Sequence, residues 1–245
     1  MVVEHLKRAW AAYKKNFWPL VGAYLLIAAV AGLLVGGGMI LVMSPFMVSD
    51  AVPTMAQIEA SSSNMAIGAL ISLIGLIISI VLGGAYIAMA AEAINRKTKL
   101  RTLVDTIRKR WVSIIGTEIL RSIIILLMFL PAVLSLGYAI LADSLLVLIV
   151  AILLGAVAAF ASLLFMFNIY AVVLDKASAV NGIKKSFVIV SKTYFSVLAL
   201  VVLLTFISLV VSIVPILGSI IAIIFLGPFM VLSFTSFYLS KRKKR

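Results

Sequence analysis

Long apolar runs, separated by short polar segments, dominate the pattern of hydrophobic and polar positions along this chain. A helix needs about 20 mainly apolar residues to cross the hydrocarbon core of a bilayer. Six runs meet that requirement, so the pattern predicts six membrane-spanning helices. They cover residues 18–43, 67–91, 112–131 or, with a continuation, 112–141, then 145–174, 194–214 and 217–239.

Basic residues lie almost entirely between these runs. Of the 21 Lys and Arg residues, all but Arg121 fall in four segments, which are 7–15, 96–110, 176–192 and 241–245. The intervening segments contain none, and they are 44–66, 132–144 and 211–218. Because positively charged flanks stay on the cytoplasmic side during insertion, this asymmetry predicts an even number of crossings, with both termini and the basic segments in the cytoplasm.

Three stretches align without gaps and indicate an internal repeat: residues 6–20, 100–114 and 183–197. Each begins with an aliphatic residue and a cation, has a second basic residue nine positions into the segment, and then has an aromatic residue at the entry to the next span. Spacings of three and four place the apolar and aromatic residues on one helical face. We therefore predict basic amphipathic elbow helices near 3–16, 100–110 and 181–192, lying along the cytoplasmic interface.

The predicted fold class is an all-α integral membrane protein that forms a single domain over residues 1–245. Each repeat would combine one elbow helix with two spans, over about 1–94, 95–177 and 178–245. Composition agrees with this class, since 64% of the chain is hydrophobic and only 12% is charged, whereas soluble domains carry roughly 25% charged residues.

Charge and cysteine content narrow the range of partners. The net charge of +13 is compatible with nucleic acid, but the cations flank membrane spans, where they meet anionic lipid head groups. We therefore expect membrane lipids as partners and no nucleic acid. No cysteine is present, which removes disulfides and Cys-based metal sites, and we expect no cofactor. The cations predicted to form the lipid-binding surface are Lys7, Arg8, Lys14, Lys15, Arg108, Lys109, Arg110, Lys184, Lys185 and Lys192.

Two charged residues lie inside the third predicted span. Glu118 and Arg121 are three positions apart, so they share one helical face and can pair with each other. Charges within a span are costly and face a partner or a wet cavity. Asn168 and Tyr170 of the fourth span lie at similar depth and are the predicted partners. Two interpretations stay open: a structural lock between helices, or a site in a transport pathway.

Two more carboxylates lie where the second and fourth predicted spans meet a basic segment. Glu92 and Asp175 each lie eight residues before an aligned elbow segment. Nearby cations such as Arg96, Lys97 or Lys176, or cations of another repeat, offer ion-pair partners. We interpret the two acids as structural ion pairs, with a gate as the alternative.

Residues 183–206 and 6–30 share a pattern of an aliphatic residue, basic residues, a small residue, aromatic residues and then an apolar run. This pattern resembles the membrane domain attached to some glycerophosphodiester phosphodiesterases. It is also similar to related six-helix membrane proteins of unknown function from bacteria and archaea. The resemblance implies an integral protein of a prokaryotic plasma membrane. It does not imply phosphodiesterase chemistry, which resides in a separate soluble domain with histidines, whereas His5 is the one histidine here.

Two functions follow as expectations. The first is a non-enzymatic multi-pass membrane protein that binds anionic lipid or a protein partner through its basic cytoplasmic face. The second is a small-solute or lipid transporter, or a transporter subunit, with a cavity between the repeats near Glu118, Arg121 and Asn168. Catalysis needs positioned acids, bases or nucleophiles, and the spans offer almost none, so we expect no enzyme. Homo-oligomers stay open.

Overall fold

The computed structural model describes residues 2–47, 54–214 and 217–242, and every regular element within those ranges is a helix. The all-α fold class is thereby confirmed. Two π-helical segments, Gly32–Gly36 and Ala222–Leu226, and one 3-10 turn, Leu163–Phe165, interrupt the α-helices. The α-helices are α1 Val2–Lys15, α2 Phe17–Ala31, α3 Gly37–Met47, α4 Met55–Ala60, α5 Ser62–Asn95, α6 Leu100–Leu141, α7 Leu145–Ser162, α8 Asn168–Leu174, α9 Ala179–Ser212, α10 Leu217–Ile221 and α11 Gly227–Arg242.

Within the described ranges, six helical stretches are long and apolar enough to cross a membrane, and each overlaps one predicted span. They are Phe17–Phe46, Ser62–Asn95, Leu100–Leu141, Leu145–Leu174, Ala179–Ser212 and Ala222–Arg242. The third span takes the longer of its two predicted extents. Residues 48–53, within the cation-free segment 44–66, and residues 243–245 of the basic tail lie outside the described residues.

The three aligned segments differ in how they enter the next span. Helix α1 is separate, because Asn16 leaves the helical region with φ −121° and ψ 28°. Thr193, at the aligned position in α9, has nearly the same backbone, with φ −132° and ψ 22°. The expectation of a separate elbow over 100–110 is wrong, because α6 continues through Arg110 as one helix about 60 Å long. Arginine favours the helical conformation more than Asn or Thr does.

Hydroxyl groups from neighbouring helices bond backbone carbonyls at the interruptions of the spans. Such bonding is required because a backbone group left unpaired in hydrocarbon costs several kcal/mol. The two π-helical segments and the 3-10 turn each receive one such bond. The pairs are Ser72 Oγ to the Val35 carbonyl at 3.3 Å, Tyr13 OH to the Ile224 carbonyl at 3.0 Å, and Ser186 Oγ to the Leu164 carbonyl at 2.8 Å.

Polar contacts gather α1, the C-terminal ends of α5, α8 and α11, and the beginning of α9 at one end of the bundle. We call this the basic end, because it brings together the cationic segments. Two large clusters of buried apolar side chains fill the interior behind it, one joining α1, α2, α5, α6 and α11 and the other joining α5, α8, α9 and α11. A small third cluster joins α6 and α8. Helix α11 contributes to both and is the most enclosed span, with 44% of its apolar window buried, against 6–17% in the others.

The opposite half of the bundle, which we call the distal half, consists of paired helices with exposed outer faces. Helix α3 approaches α5 so closely that a Cβ atom on Gly38 would lie 2.6 Å from the Gly68 carbonyl oxygen. Helices α6 and α7 form a second pair. Apolar side chains on their outer faces are largely exposed, as at Leu134 (64%) and Leu141 (88%). These surfaces suit contact with lipid tails.

Candidate functional site

Glu118, Arg121 and Asn168 form a polar cluster between α6 and α8. The Arg121 Nη1 atom lies 3.3 Å and 3.2 Å from the two Glu118 carboxylate oxygens. The Asn168 amide donates to Glu118 Oε1 at 3.0 Å. The structure thus brings together three of the four residues proposed for an intramembrane site, and it gives the Glu118 carboxylate partners from two helices.

A break in the fourth span places Asn168 beside Glu118. The 3-10 turn Leu163–Phe165 ends α7, and α8 begins at Asn168, which is fully buried. Ser186 of α9 supports this break, because its hydroxyl accepts from the Phe167 amide at 2.9 Å and donates to the Leu164 carbonyl. The same backbone irregularity that ends α7 therefore turns the Asn168 amide toward α6.

The cluster is enclosed on the Glu118 side and more open on the Arg121 side. The Glu118 side chain is 14% exposed and the Arg121 side chain is 32% exposed. The Nε atom of Arg121 is nevertheless buried and has no hydrogen-bond partner among the described residues. The N–H group at Nε is therefore still able to donate a hydrogen bond.

Tyr170, the fourth proposed member, faces another part of the bundle. It follows Asn168 by two residues, which corresponds to about 200° around a helix. Its ring packs against Phe167 and Tyr238, with centroids 5.3 Å and 5.9 Å away. Tyr170 therefore belongs to the aromatic core of α8 and α11.

Glu92 is bonded mainly by residues close to it in sequence. Its carboxylate lies 2.9 Å from Arg96 Nε, one turn along the chain. The hydroxyl of Thr98 donates to it at 3.1 Å, and the hydroxyl of Thr102 donates to the same carboxylate oxygen. The pairing with Arg96 agrees with the interpretation of Glu92 as a structural ion pair.

Asp175 occupies the aligned position after α8, and it binds more distant partners. Lys185 Nζ of α9 lies 3.1 Å from one carboxylate oxygen, and Tyr238 OH of α11 donates to the same oxygen at 2.9 Å. Arg242 Nε lies 2.8 Å from the other oxygen. Asp175 therefore joins three helices at the basic end, whereas Glu92 stabilises one helix end and the link that follows it.

Most of the predicted lipid-binding cations are exposed at this end. Eight of the ten are exposed, and Arg110 and Lys185 are half-buried. Lys185 is bonded to Asp175, and Arg8 Nη2 donates to Asn95 Oδ1 at 3.3 Å. Lys14 lies over the Trp10 ring at 5.7 Å, a distance suited to a cation–π contact.

Residues 39–241 match a family model described as Domain of unknown function (DUF7847). The chain belongs to this family. The match supports the predicted kinship with a family of unknown function. It gives no link to glycerophosphodiester phosphodiesterases, so that part of the resemblance is unsupported. Among curated proteins and solved structures, nothing matches the chain.

One structurally important residue of this DUF7847 protein escaped sequence reasoning. Asn16 is buried, and its amide nitrogen donates to the carbonyls of Ala12 and Ala93, both at 3.1 Å. Its Oδ1 atom accepts from the Thr98 backbone amide at 2.9 Å. Asn16 thus ties α1 to the link between α5 and α6. The only sequence signal was a lone amide between a basic helix and an aromatic residue.

Proposed function

We propose that this protein is a non-enzymatic multi-pass protein of a prokaryotic plasma membrane, and that its basic end lies in the cytoplasm and binds anionic lipid. The observation that carries this proposal is the convergence of cationic segments from three distant parts of the chain on one end of the bundle. Segments 7–15, 96–110 and 176–192 all contribute to it, since Arg8 bonds Asn95 next to the second segment and Lys176 lines one cavity with Arg96. They correspond to the three repeats inferred from the aligned segments.

Electrostatics explains why this arrangement favours an anionic membrane surface. Each Lys or Arg near such a surface contributes about 1 kcal/mol of attraction. The exposed cations lie beside aromatic residues at the entries of the spans, such as Trp18 and Trp111, which are 81% and 51% exposed. Aromatic side chains of this kind concentrate at head-group level. Cations next to them therefore lie within reach of lipid phosphates.

The interior of the spans supports a structural role for its polar residues. Glu118 pairs with Arg121 and also accepts from Asn168, so its charge is balanced within the protein. We interpret the cluster as a lock between α6 and α8. An acidic protein partner would meet the same basic end, while the flanking spans make nucleic acid an unsuitable partner.

The proposal is tested by identifying the lipids that co-purify with the protein. After gentle extraction without delipidation, mass spectrometry should find phospholipids of net negative charge enriched over zwitterionic ones, relative to the membrane from which the protein came. The enrichment should decrease as salt increases, because exposed charges are screened. A bound-lipid composition equal to that of the membrane at low salt contradicts the proposal.

Transport of a small solute or lipid is the second candidate, and it is favoured by the Nε atom of Arg121, which is buried and has no hydrogen-bond partner among the described residues. An ionisable group inside a span that keeps an unused donor is suited to a transport pathway. Proteoliposomes with a fluorescent phospholipid test the lipid version. Movement between leaflets above the protein-free rate, abolished in a stable Glu118→Gln, Arg121→Leu variant, supports transport. No movement above that rate contradicts it for lipid.

A further inference from the structure

We propose that a cavity between α5, α6 and the link from α8 to α9 binds the phosphodiester head group of an anionic phospholipid. This inference rests on the proposed function and names its site. The cavity holds about 420 Å³ and is lined by four cations, two carboxylates, two threonines and one valine. Its volume falls within the range of about 300–1,000 Å³ that is usual for small-molecule sites.

Three of the cations are available to a ligand. Arg96 is bonded to Glu92 at 2.9 Å. Lys109, Arg110 and Lys176 take part in no ion pair among the described residues. A phosphate oxyanion accepts strong, charge-assisted hydrogen bonds from ammonium and guanidinium groups. The cavity therefore offers three uncompensated donors where an anionic ligand would lie.

The backbone fixes the positions from which these three side chains extend. Lys109 and Arg110 lie on α6, which continues without a break into the membrane. Lys176 has a φ of 55°, in the left-handed region. It follows α8 where the Ala177 amide bonds back to the Ala171 carbonyl at 3.3 Å. Glycine is the usual residue at that position of a helix end, so a lysine there points to a role for its side chain.

The cavity also contains groups suited to the hydroxyls of a head group. The Glu92 carboxylate is fixed by Thr98 and Thr102, and Asp105 lies on α6 next to the free cations. Carboxylates accept hydrogen bonds from hydroxyls and repel a second phosphate charge. A phosphodiester with a glycerol head, as in phosphatidylglycerol, satisfies both sets of groups.

A membrane lipid is favoured over a soluble phosphoester by the surroundings of Arg110. The next two residues, Trp111 and Val112, are 51% and 62% exposed. An exposed tryptophan followed by the apolar run of α6 places Arg110 at head-group level. The ligand class is therefore a lipid whose acyl chains lie in the bilayer.

Two charge-matched triple variants test the site. The first replaces the free cations with Lys109→Gln, Arg110→Gln and Lys176→Asn, since asparagine tolerates the left-handed backbone. The control replaces exposed cations elsewhere with Lys7→Gln, Lys184→Gln and Lys192→Gln. Native mass spectrometry in neutral detergent measures binding of short-chain phosphatidylglycerol, of phosphatidylcholine with the same chains, and of glycerol phosphate. Five of the six positions are exposed and Arg110 is half-buried, and thermal unfolding verifies that each variant is folded.

We expect the first triple to weaken phosphatidylglycerol binding about tenfold more than the control does, without changing phosphatidylcholine binding. If the two triple variants weaken phosphatidylglycerol binding equally, the cavity is not the binding site. The lipid then binds a diffuse basic surface, and the proposed function still holds. Glycerol phosphate binding as tight as lipid binding overturns the lipid as ligand. If the unmodified protein binds both lipids equally, the cavity and the proposed function fail together.

Discussion

Leu20 and Leu134 lie in the two halves of the bundle, and their surroundings differ sharply. Leu20, near the start of α2, is fully buried in the cluster that joins α1, α2, α5, α6 and α11. Leu134, in the distal part of α6, is 64% exposed. The same contrast holds for polar groups, since the basic end contains Asn16, Asp175 and their bonded partners.

The difference shows how the stability of this protein is distributed. The half at the basic end packs side chains from four or five helices and bonds most of its buried polar groups. The distal half depends on close contact within helix pairs, with lipid around them. Local stability in proteins follows the density of such buried contacts. Substitutions should therefore matter most at the basic end and least on the distal faces.

The largest loss of stability is expected when the Glu118–Arg121 pair of α6 is broken. Arg121→Leu leaves Glu118 without its cation, and breaking a buried pair costs about 3–5 kcal/mol in soluble proteins, an upper guide here. The double variant Glu118→Gln, Arg121→Leu should recover much of the loss in thermal stability. Arg101→Leu is the control, because its pair with Asp105 is exposed and 3.7 Å long. Equal stability of the Arg121→Leu variant and the unmodified protein, in detergent and in lipid, contradicts a buried pair.

Matched leucine substitutions compare the apolar contacts of the two halves directly. Leu20→Ala removes buried contacts and leaves a cavity, with a typical loss of about 2–5 kcal/mol. Leu134→Ala removes an exposed side chain, and such changes usually stay within about 0.5 kcal/mol. Unfolding in mild detergent measures both. Similar losses for the two variants would show that the distal half is as tightly packed as the basic end.

A smaller effect is expected from Asn16→Ala. The substitution leaves the Thr98 amide and the Ala93 carbonyl without their partner, and a buried unpaired group costs about 1–3 kcal/mol. Asn181→Ala is the control, because this asparagine is exposed near the start of α9, away from the Asn16 contacts. Hydrogen exchange should show faster exchange in α1 for the Asn16 variant only. Unchanged protection of α1 would mean that Asn16 does not anchor this helix.

The smallest expected effect is the contribution of His5 to the pH dependence of stability. Burial, and then the charge of Lys241, lowers the pKa of His5 from its usual 6.5. The folded protein therefore binds fewer protons than the unfolded chain just below pH 6.5, so stability falls as the pH drops through that value. His5→Gln should reduce the fall in melting temperature between pH 7.5 and pH 5.5. The same fall in both proteins would assign the pH dependence to other groups.

Local patterns predicted much of this structure. The six spans follow from apolar length, and the Glu118–Arg121 pair follows from a spacing of three on one helix. The Glu92–Arg96 pair follows from a spacing of four. In each case the interacting groups are close in sequence, so helical geometry alone brings them together.

Contacts between distant segments were not predictable in the same way. Arg242 reaches Asp175 only because α11 ends beside α8, and Asn16 bonds a carbonyl 77 positions away. Tyr170 faces the aromatic core because α8 starts at Asn168, which depends on the break before it. Helix α6 has Arg110 at the aligned position and continues through it, whereas Asn16 and Thr193 leave the helical conformation.

The side of the membrane on which the basic end lies is the central claim, and cysteine labelling tests it most directly. The chain contains no cysteine, so single cysteines at Met55, Ala142, Asp105 and Lys184, all exposed, give an unambiguous signal. An impermeant maleimide added to intact cells should label the first two positions. It should label the last two only after the membrane is permeabilised. Labelling of position 105 or 184 in intact cells would place the basic end outside and contradict the account.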